Sequence, residues 1–409
     1  MFEYLLFLNT VHLYIVLHNY GLHSSFFLTC LRRVGDALCI PLYMFIVTIK
    51  SILFYSIHSA IDQGCWGISM THCFFTHLFH SLRVFTPLFT HLIIGYSPLP
   101  RFHRVFVLQN GARALRMALR DLLRSLFQCD FSVMESYLPE NQNELFMWSQ
   151  SRALCSPPAC PLMLRNQLSN KTHCQQNCKP RDLKIVEQVC GFYSHVVYKE
   201  VRIFELESLY PLLLDPNLNL RIIHLVRDPR AVMRSKEEVA GYLVSDNAIV
   251  LEQKSINESE VQYQVMQEIC RSHLRITKRA VLKPPPFLKG RYKLVRYEDV
   301  TRNPVKEIKS LYEFVGLEMT TQLATWIYQV THGKGKGSTE EVFDITSRSA
   351  TDISRAWRTM LPHNSVKRVQ EVCEEAMSYL GYRTVNSEIE QKSLYVDLLV
   401  PQEHGRHFD

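Results

Sequence analysis

Charge is scarce in the front quarter of this 409-residue chain. Of 46 basic and 39 acidic side chains, residues 1–100 hold only Glu3, Arg32, Arg33, Asp36, Lys50, Asp62 and Arg83. Glycine and proline are scarce throughout, at 15 and 18, which excludes collagen-like and low-complexity classes. No long Lys/Arg run is present and the net charge is only +7, so the electrostatic footprint of a nucleic-acid binder is missing, while polyanionic substrates stay allowed. With 47% hydrophobic and 21% charged residues, disorder of the whole is excluded. A chain this long buries a full core without staples.

The charge-poor front is an atypical hydrophobic N-terminal region, residues 1–107. Tyr4 to Leu31 carries no Asp, Glu, Lys or Arg over 28 residues, more than the roughly 20 a bilayer span requires. Ala37 to Ile61 is interrupted only by Lys50, and Val84 to Leu99 is broken by Pro87 and Pro98. One span is expected and three are allowed. Arg32 and Arg33 would face the cytosol if the first run stood alone. His12, His18, His23 and Asn19 are poor bilayer residues, which keeps open a second reading, a non-native leader or misassigned exon.

From about residue 105 the pattern is that of an α/β domain. Gly111 to Gln128 places Leu115, Ala118, Leu119, Leu122 and Leu126 on one stripe, with Arg113, Arg116, Arg120 and Arg124 elsewhere, which predicts an amphipathic helix with a solvated basic face. Ser194 to Phe204, Leu220 to Val226 and Tyr292 to Tyr297 are short β-branched-rich runs, expected as buried strands. Strands alternating with helices imply a parallel sheet whose ligands sit at the carboxyl ends of its strands.

The most informative strand end is Leu225-Val-Arg-Asp-Pro-Arg-Ala-Val-Met-Arg-Ser235. Asp228 suits a helix cap and Pro229 the first helical position. Arg227 at the strand end, the helix N-terminus and the Ser235 hydroxyl converge on one place, which suits a phosphate. The alternative is a capped helix whose arginines make only ion pairs.

Ile222-Ile-His-Leu-Val-Arg-Asp-Pro-Arg-Ala-Val232 resembles the 3′-phosphate motif of carbohydrate sulfotransferases, and most closely the galactose, N-acetylgalactosamine and N-acetylglucosamine 6-O-sulfotransferase family, its N-acetylglucosamine members of intestinal and corneal type above all. The resemblance continues in order through Ser151-Arg-Ala-Leu-Cys-Ser-Pro-Pro-Ala-Cys160, His195-Val-Val-Tyr-Lys-Glu-Val-Arg202, Leu282 to Tyr292, Tyr297-Glu-Asp299, Ser347-Arg-Ser349 and Ala356-Trp-Arg358, covering 108–400 and leaving 401–409 as a tail. It implies a P-loop-NTPase-like parallel sheet flanked by helices, and transfer of sulfate from 3′-phosphoadenosine 5′-phosphosulfate (PAPS) to the 6-hydroxyl of N-acetylglucosamine or galactose in glycans such as keratan sulfate or mucin-type chains. Arg227 and Ser235 match the pair that holds the 3′-phosphate. Lys199 and Glu200 fall near the acceptor, with Glu200 the candidate base, or else form an ion pair at a strand end. Thr331-His-Gly-Lys-Gly-Lys-Gly337 corresponds to a glycine-rich loop that closes over ligand, or is simply a surface loop. The chemistry needs no metal, and a homodimer is allowed.

One family feature is missing. The loop resembling Arg-Ser-Gly-Ser-Ser-Phe that cradles the 5′-phosphosulfate after the first strand is not found. The nearest string, Gly21-Leu-His-Ser-Ser-Phe-Phe27 after Tyr14-Ile-Val-Leu17, lacks the arginine and the inner glycine. The first strand and its loop are therefore expected to be replaced by residues 1–107. Either the chain is a membrane-tethered, non-catalytic relative, or the front is misassigned and the natural product is an ordinary sulfotransferase.

Twelve cysteines, five of them Cys155, Cys160, Cys174, Cys178 and Cys190, fit no zinc template and are expected as disulfides of an oxidising lumen. Asn170-Lys-Thr172 and Asn257-Glu-Ser259 are acceptor sequons usable there. The family's type II Golgi membrane location, with a lumenal catalytic domain, is consistent with one N-terminal span.

Overall fold

The computed structural model describes residues 12–18, 84–85, most of 117–133, scattered positions around Cys160 and Cys178, 183–200, and 203–400 apart from breaks at 239, 241–242, 252–256 and 334–348. Its centre is a five-stranded sheet in the order β2-β3-β1-β4-β5. The strands are β1 (His12–His18), β2 (Val84–Phe85), β3 (His195–Glu200), β4 (Leu220–Val226) and β5 (Tyr292–Arg296).

β4 shows why these residues form a central strand. All of Leu220–Val226 except Arg221 is buried, so both faces must be covered, and a continuous apolar run satisfies both. Alternate side chains go opposite ways. Leu220 and Ile222 join Val196 and Tyr198 of β3 in a core with the helix α1 (119–127) and with α2 (Leu183–Gly191). Ile223 and Leu225 join Val197 and Val295 on the other face, against α5 (Tyr297–Arg302), α6 (Pro304–Val315) and α7 (Thr321–Thr331). Val226, at the carboxyl end, enters a third cluster with α3 (Pro229–Glu238), the 24-residue α4 (Glu258–Val281) and α10 (His363–Leu380).

The α/β architecture of helices on a largely parallel sheet is as the sequence implied, with one departure. β2 pairs with β3, and β4 with β5, in parallel. β1 sits between β3 and β4 and runs antiparallel to both. Four strands thus point one way and the central one points back. Residues 1–107, expected to replace the first strand, supply two strands to the sheet, His12–His18 at its centre and Val84–Phe85 at its edge. The middle of the first apolar run is therefore strand. The rest of that run and nearly all of the other two lie outside the described residues, and among those described no helix is long and apolar enough to cross a membrane.

Of the helix expected over Gly111 to Gln128, the described part is 119–127. Its apolar stripe is in the core, and Arg120 and Arg124 pair with Asp121 and Asp215. Three disulfides join described residues: Cys129–Cys190, Cys160–Cys178 and Cys270–Cys373. The first ties the end of α1 to α2, and the last ties α4 to α10. Cys155 and Cys174 lie outside the described residues.

Candidate active site

The site is built where β4 and β5 stop. They pair in parallel with Val226 opposite Arg296, so the residues that follow meet in the same order. Arg227 comes beside Tyr297, and Asp228 beside Glu298. The Arg227 guanidinium lies 5.0 Å from the centre of the Tyr297 ring, a cation–π contact. The Asp228 N–H donates to Glu298 Oε1 at 3.0 Å, and the Tyr382 hydroxyl, just beyond α10, donates to Glu298 Oε2 at 2.8 Å.

The three arginines at these strand ends divide into two kinds. Arg230 is buried: its Nε and Nη2 reach the two oxygens of Asp228 at 2.9 and 2.7 Å, its Nη1 reaches Gln370 and the Arg383 carbonyl, and its Cζ sits 4.2 Å above Trp357. Arg296 is buried too, with both carboxylate oxygens of Asp299 and the carbonyls of Leu380, Gly381 and Val400 as acceptors. Both are structural. Arg227 differs: it is half-buried, and its Nε is shielded from solvent with no hydrogen-bond partner. A shielded guanidinium N–H without an acceptor is costly, and an anion would supply the acceptor.

Pro229 opens α3 and Asp228 Oδ1 accepts the Arg230 N–H at 2.9 Å. Asp228 therefore does what the sequence assigned, capping the helix as well as holding Arg230. Ser235 lies buried on the same helix. No hydrogen bond joins it to Arg227, which precedes the helix, whereas Ser235 is its seventh residue.

Lys199 and Glu200 end β3 on the same sheet edge. Leu13 of β1 pairs with both Glu200 and His224, and Tyr14 with both Lys199 and Ile223. Two strand spacings, about 10 Å, thus separate the backbone of the Lys199–Glu200 pair from β4, and Arg227 follows three residues after His224. Lys199, Glu200 and Arg227 therefore lie toward the carboxyl ends of β3 and β4, the edge where ligands of such sheets bind, while Ser235 lies within α3.

β1 reaches this edge with its amino end. His18, at its other end, pairs with His195 at the start of β3. The chain that continues to Gly21-Leu-His-Ser-Ser-Phe-Phe27 thus leaves β1 at the edge opposite Arg227, and that string lies outside the described residues. Of Thr331 to Gly337, only Thr331 to Gly333 is described; His332 there forms an isolated bridge with Ser349, whose hydroxyl caps α8 (Ala350–Arg355) by accepting from the Asp352 N–H, and the short α9 (Trp357–Met360) follows.

Burial and the neighbouring Asp228 push the Glu298 carboxyl up to about 7, against the opposing pull of the Asp228 N–H and of Arg227. Neither Glu298 nor Tyr382 was singled out from sequence as a site residue. Tyr297-Glu-Asp299 was visible directly after a strand run, but only the register of β5 on β4 turns that position into a neighbour of Arg227.

Residues 118–381 match the family model described as a sulfotransferase domain. The chain belongs to the sulfotransferase family. This sulfotransferase is 50% identical over 316 residues to carbohydrate sulfotransferase 5 of Mus musculus and to carbohydrate sulfotransferase 6 of Homo sapiens, covering 76% of its own length and 80% of each relative. It is 46% identical over 290 residues to carbohydrate sulfotransferase 4 of Mus musculus, covering 70% and 74%. No solved structure matches it. As a member of the family it is an enzyme, a transferase.

Proposed function

We propose that this sulfotransferase moves the sulfuryl group of PAPS to the 6-hydroxyl of N-acetylglucosamine, or of galactose, in glycan chains. The observation that carries the reading is the Arg227 guanidinium, shielded at a strand end without an acceptor for its Nε, in a chain half identical to two carbohydrate sulfotransferases. Arg227 and Ser235 hold the 3′-phosphate of the donor between them. Glu200 takes the proton of the attacking hydroxyl as the new O–S bond forms, and the S–O bond to the 5′-phosphate breaks in line. Lys199 offsets the charge that collects on the departing phosphate. Residues 108–400, their sheet completed by β1 and β2, carry the chemistry in the lumen of the Golgi, where the three disulfides persist, and the rest of the N-terminal region attaches the protein to the membrane.

One observation favours a second reading, a non-catalytic relative. The central strand runs antiparallel, so its carboxyl end does not deliver a phosphate-binding loop to the Arg227 edge. Such a protein would bind the donor through Arg227 and transfer nothing.

The test is sulfate transfer from PAPS to acceptors ending in N-acetylglucosamine, wild type beside Arg227→Ala. A charge-assisted contact of about 2–3 kcal/mol predicts a loss of about 30- to 150-fold in donor kcat/KM. Transfer unchanged in the alanine variant refutes the donor site, and donor binding without transfer in the wild type selects the second reading.

A further inference from the structure

We propose that the Glu298 carboxyl is a proton-linked counter-ion of the donor site, taking up a proton when an anion settles on Arg227 and giving it back when the anion leaves. This rests on the donor-site reading of Arg227. Glu298 is a positioning residue in it, acting through Arg227 and the Asp228 N–H.

The geometry places two cations and two carboxyl groups at one strand-end turn: Arg227, Arg230, Asp228 and Glu298. Asp228 and Arg230 are committed to each other in a closed ion pair. That leaves Glu298 and Arg227 as the pair whose balance an incoming anion disturbs. Glu298 is 6% exposed, so water screens little of that change. With Glu298 ionised, the turn is already neutral, and a phosphate dianion would leave it two charges negative. Protonating Glu298 removes one of them.

Both oxygens of Glu298 can keep their partners through the change. Oε1 still accepts the Asp228 N–H, and at Oε2 the Tyr382 hydroxyl turns from donor to acceptor. The other charged groups nearby are occupied: Arg358, which feels both Asp228 and Arg230, donates to the Ser393 and Val396 carbonyls. Arg296, at the end of β5, is held by Asp299. On the helices packed against α5, Glu307 of α6 acts on Lys293 and Arg355 of α8 acts on Asp397. Burial has already brought Glu298 to the verge of protonation, at about 7, so a modest added negative charge suffices.

The experiment titrates adenosine 3′,5′-bisphosphate, which is the donor without its sulfuryl group, into the full chain by calorimetry at pH 8 in two buffers of different ionisation enthalpy. At that pH the ligand's phosphates are fully ionised and take no part in proton exchange. The expected result is uptake of about half a proton per ligand and an affinity that falls roughly three- to fivefold from pH 7 to 8.5. Glu298→Gln should bind with no uptake and no such fall. If the wild type binds, Arg227→Ala binds at least tenfold more weakly, and no proton is taken up, the coupling is overturned while the donor site stands. If Arg227→Ala binds as the wild type does, the donor site itself falls. The two-buffer measurement on the wild type decides even where Glu298→Gln does not fold.

Discussion

Arg230 and Asp228 are locked in a two-pronged ion pair in the interior, at 2.9 and 2.7 Å, three positions from where Arg227 leaves its Nε without an acceptor. The contrast makes two substitutions in one short motif diverge. Arg230→Ala strands a buried carboxylate and removes the side chain that stacks on Trp357, so about 3–5 kcal/mol of stability should go. Arg227→Ala forfeits a cation–π contact with Tyr297, about 0.5–1 kcal/mol, and relieves an unpartnered N–H. Urea unfolding of both should show Arg230→Ala shifted far and Arg227→Ala nearly in place. Equal shifts would mean that Arg227 too is structural.

Gly381 closes α10 in the left-handed conformation, at φ +79°, and a Cβ there would stand 2.7 Å from Arg296 Nη1. That nitrogen is not a free end. It donates to the carbonyls of Leu380, Gly381 and Val400, fastening the last described segment to the end of β5. Gly381→Ala should therefore cost about 2 kcal/mol or more, from the left-handed backbone and from displacing Arg296. Thermal melts would read it directly. A melting temperature within error of the wild type would show that the Arg296 anchor can give way freely.

Much of this was legible in the chain before its structure. Leu220–Val226 reads as a strand because an unbroken apolar run suits burial on both faces, and Arg227-Asp-Pro reads as strand end, cap and helix start because each residue type has one local use there. Ser194 to Phe204 was too long by several residues: β3 ends at Glu200, and Tyr297, expected in a strand, begins a helix. The direction of β1 was not legible, since Tyr14-Ile-Val-Leu17 is apolar throughout and reads alike in either direction. Nor was the role of Glu298, which needs the pairing of Val226 with Arg296. Of the pairings among the cysteines, Cys270 with Cys373 joins positions 103 apart, a distance at which sequence offers no preference.

That Cys270–Cys373 bridge joins the two longest described helices, α4 and α10, with the buried sulfurs amid Met266, Val369 and Met377. Closing a loop of this length restricts the unfolded chain by about 4.7 kcal/mol in the chain-entropy view, part of which native-state strain and residual unfolded structure take back. The double variant Cys270→Ala and Cys373→Ala should lose about 3–4 kcal/mol, and the wild type under reducing conditions should lose at least as much. Both measurements are equilibrium unfolding curves. A double variant as stable as the oxidised wild type would show that helix packing alone holds α4 on α10.

His273 and Glu298 should write opposite slopes into the dependence of stability on pH. His273 is buried beside His224, ring nitrogen to ring nitrogen at 2.8 Å, with His224 in turn 2.6 Å from the Tyr292 hydroxyl, and burial lowers His273 to about 4. Unfolded, it titrates near 6.5, so the unfolded chain binds the extra proton between about 4 and 6.5, and stability is lost as pH falls through that window. Glu298 stands at about 7 when folded and near 4.5 when unfolded, so the native state binds the extra proton and stability is lost as pH rises from about 4.5 to 7. Over pH 5–6 the two nearly cancel. His273→Gln removes one slope and keeps a side chain able to hydrogen-bond with His224, so its unfolding free energy, measured by urea at a series of pH values, should fall by about 1 kcal/mol for each unit between pH 5 and 6.5, where the wild type is nearly level. A variant whose profile stays parallel to the wild type would show that His273 carries a proton in the folded protein.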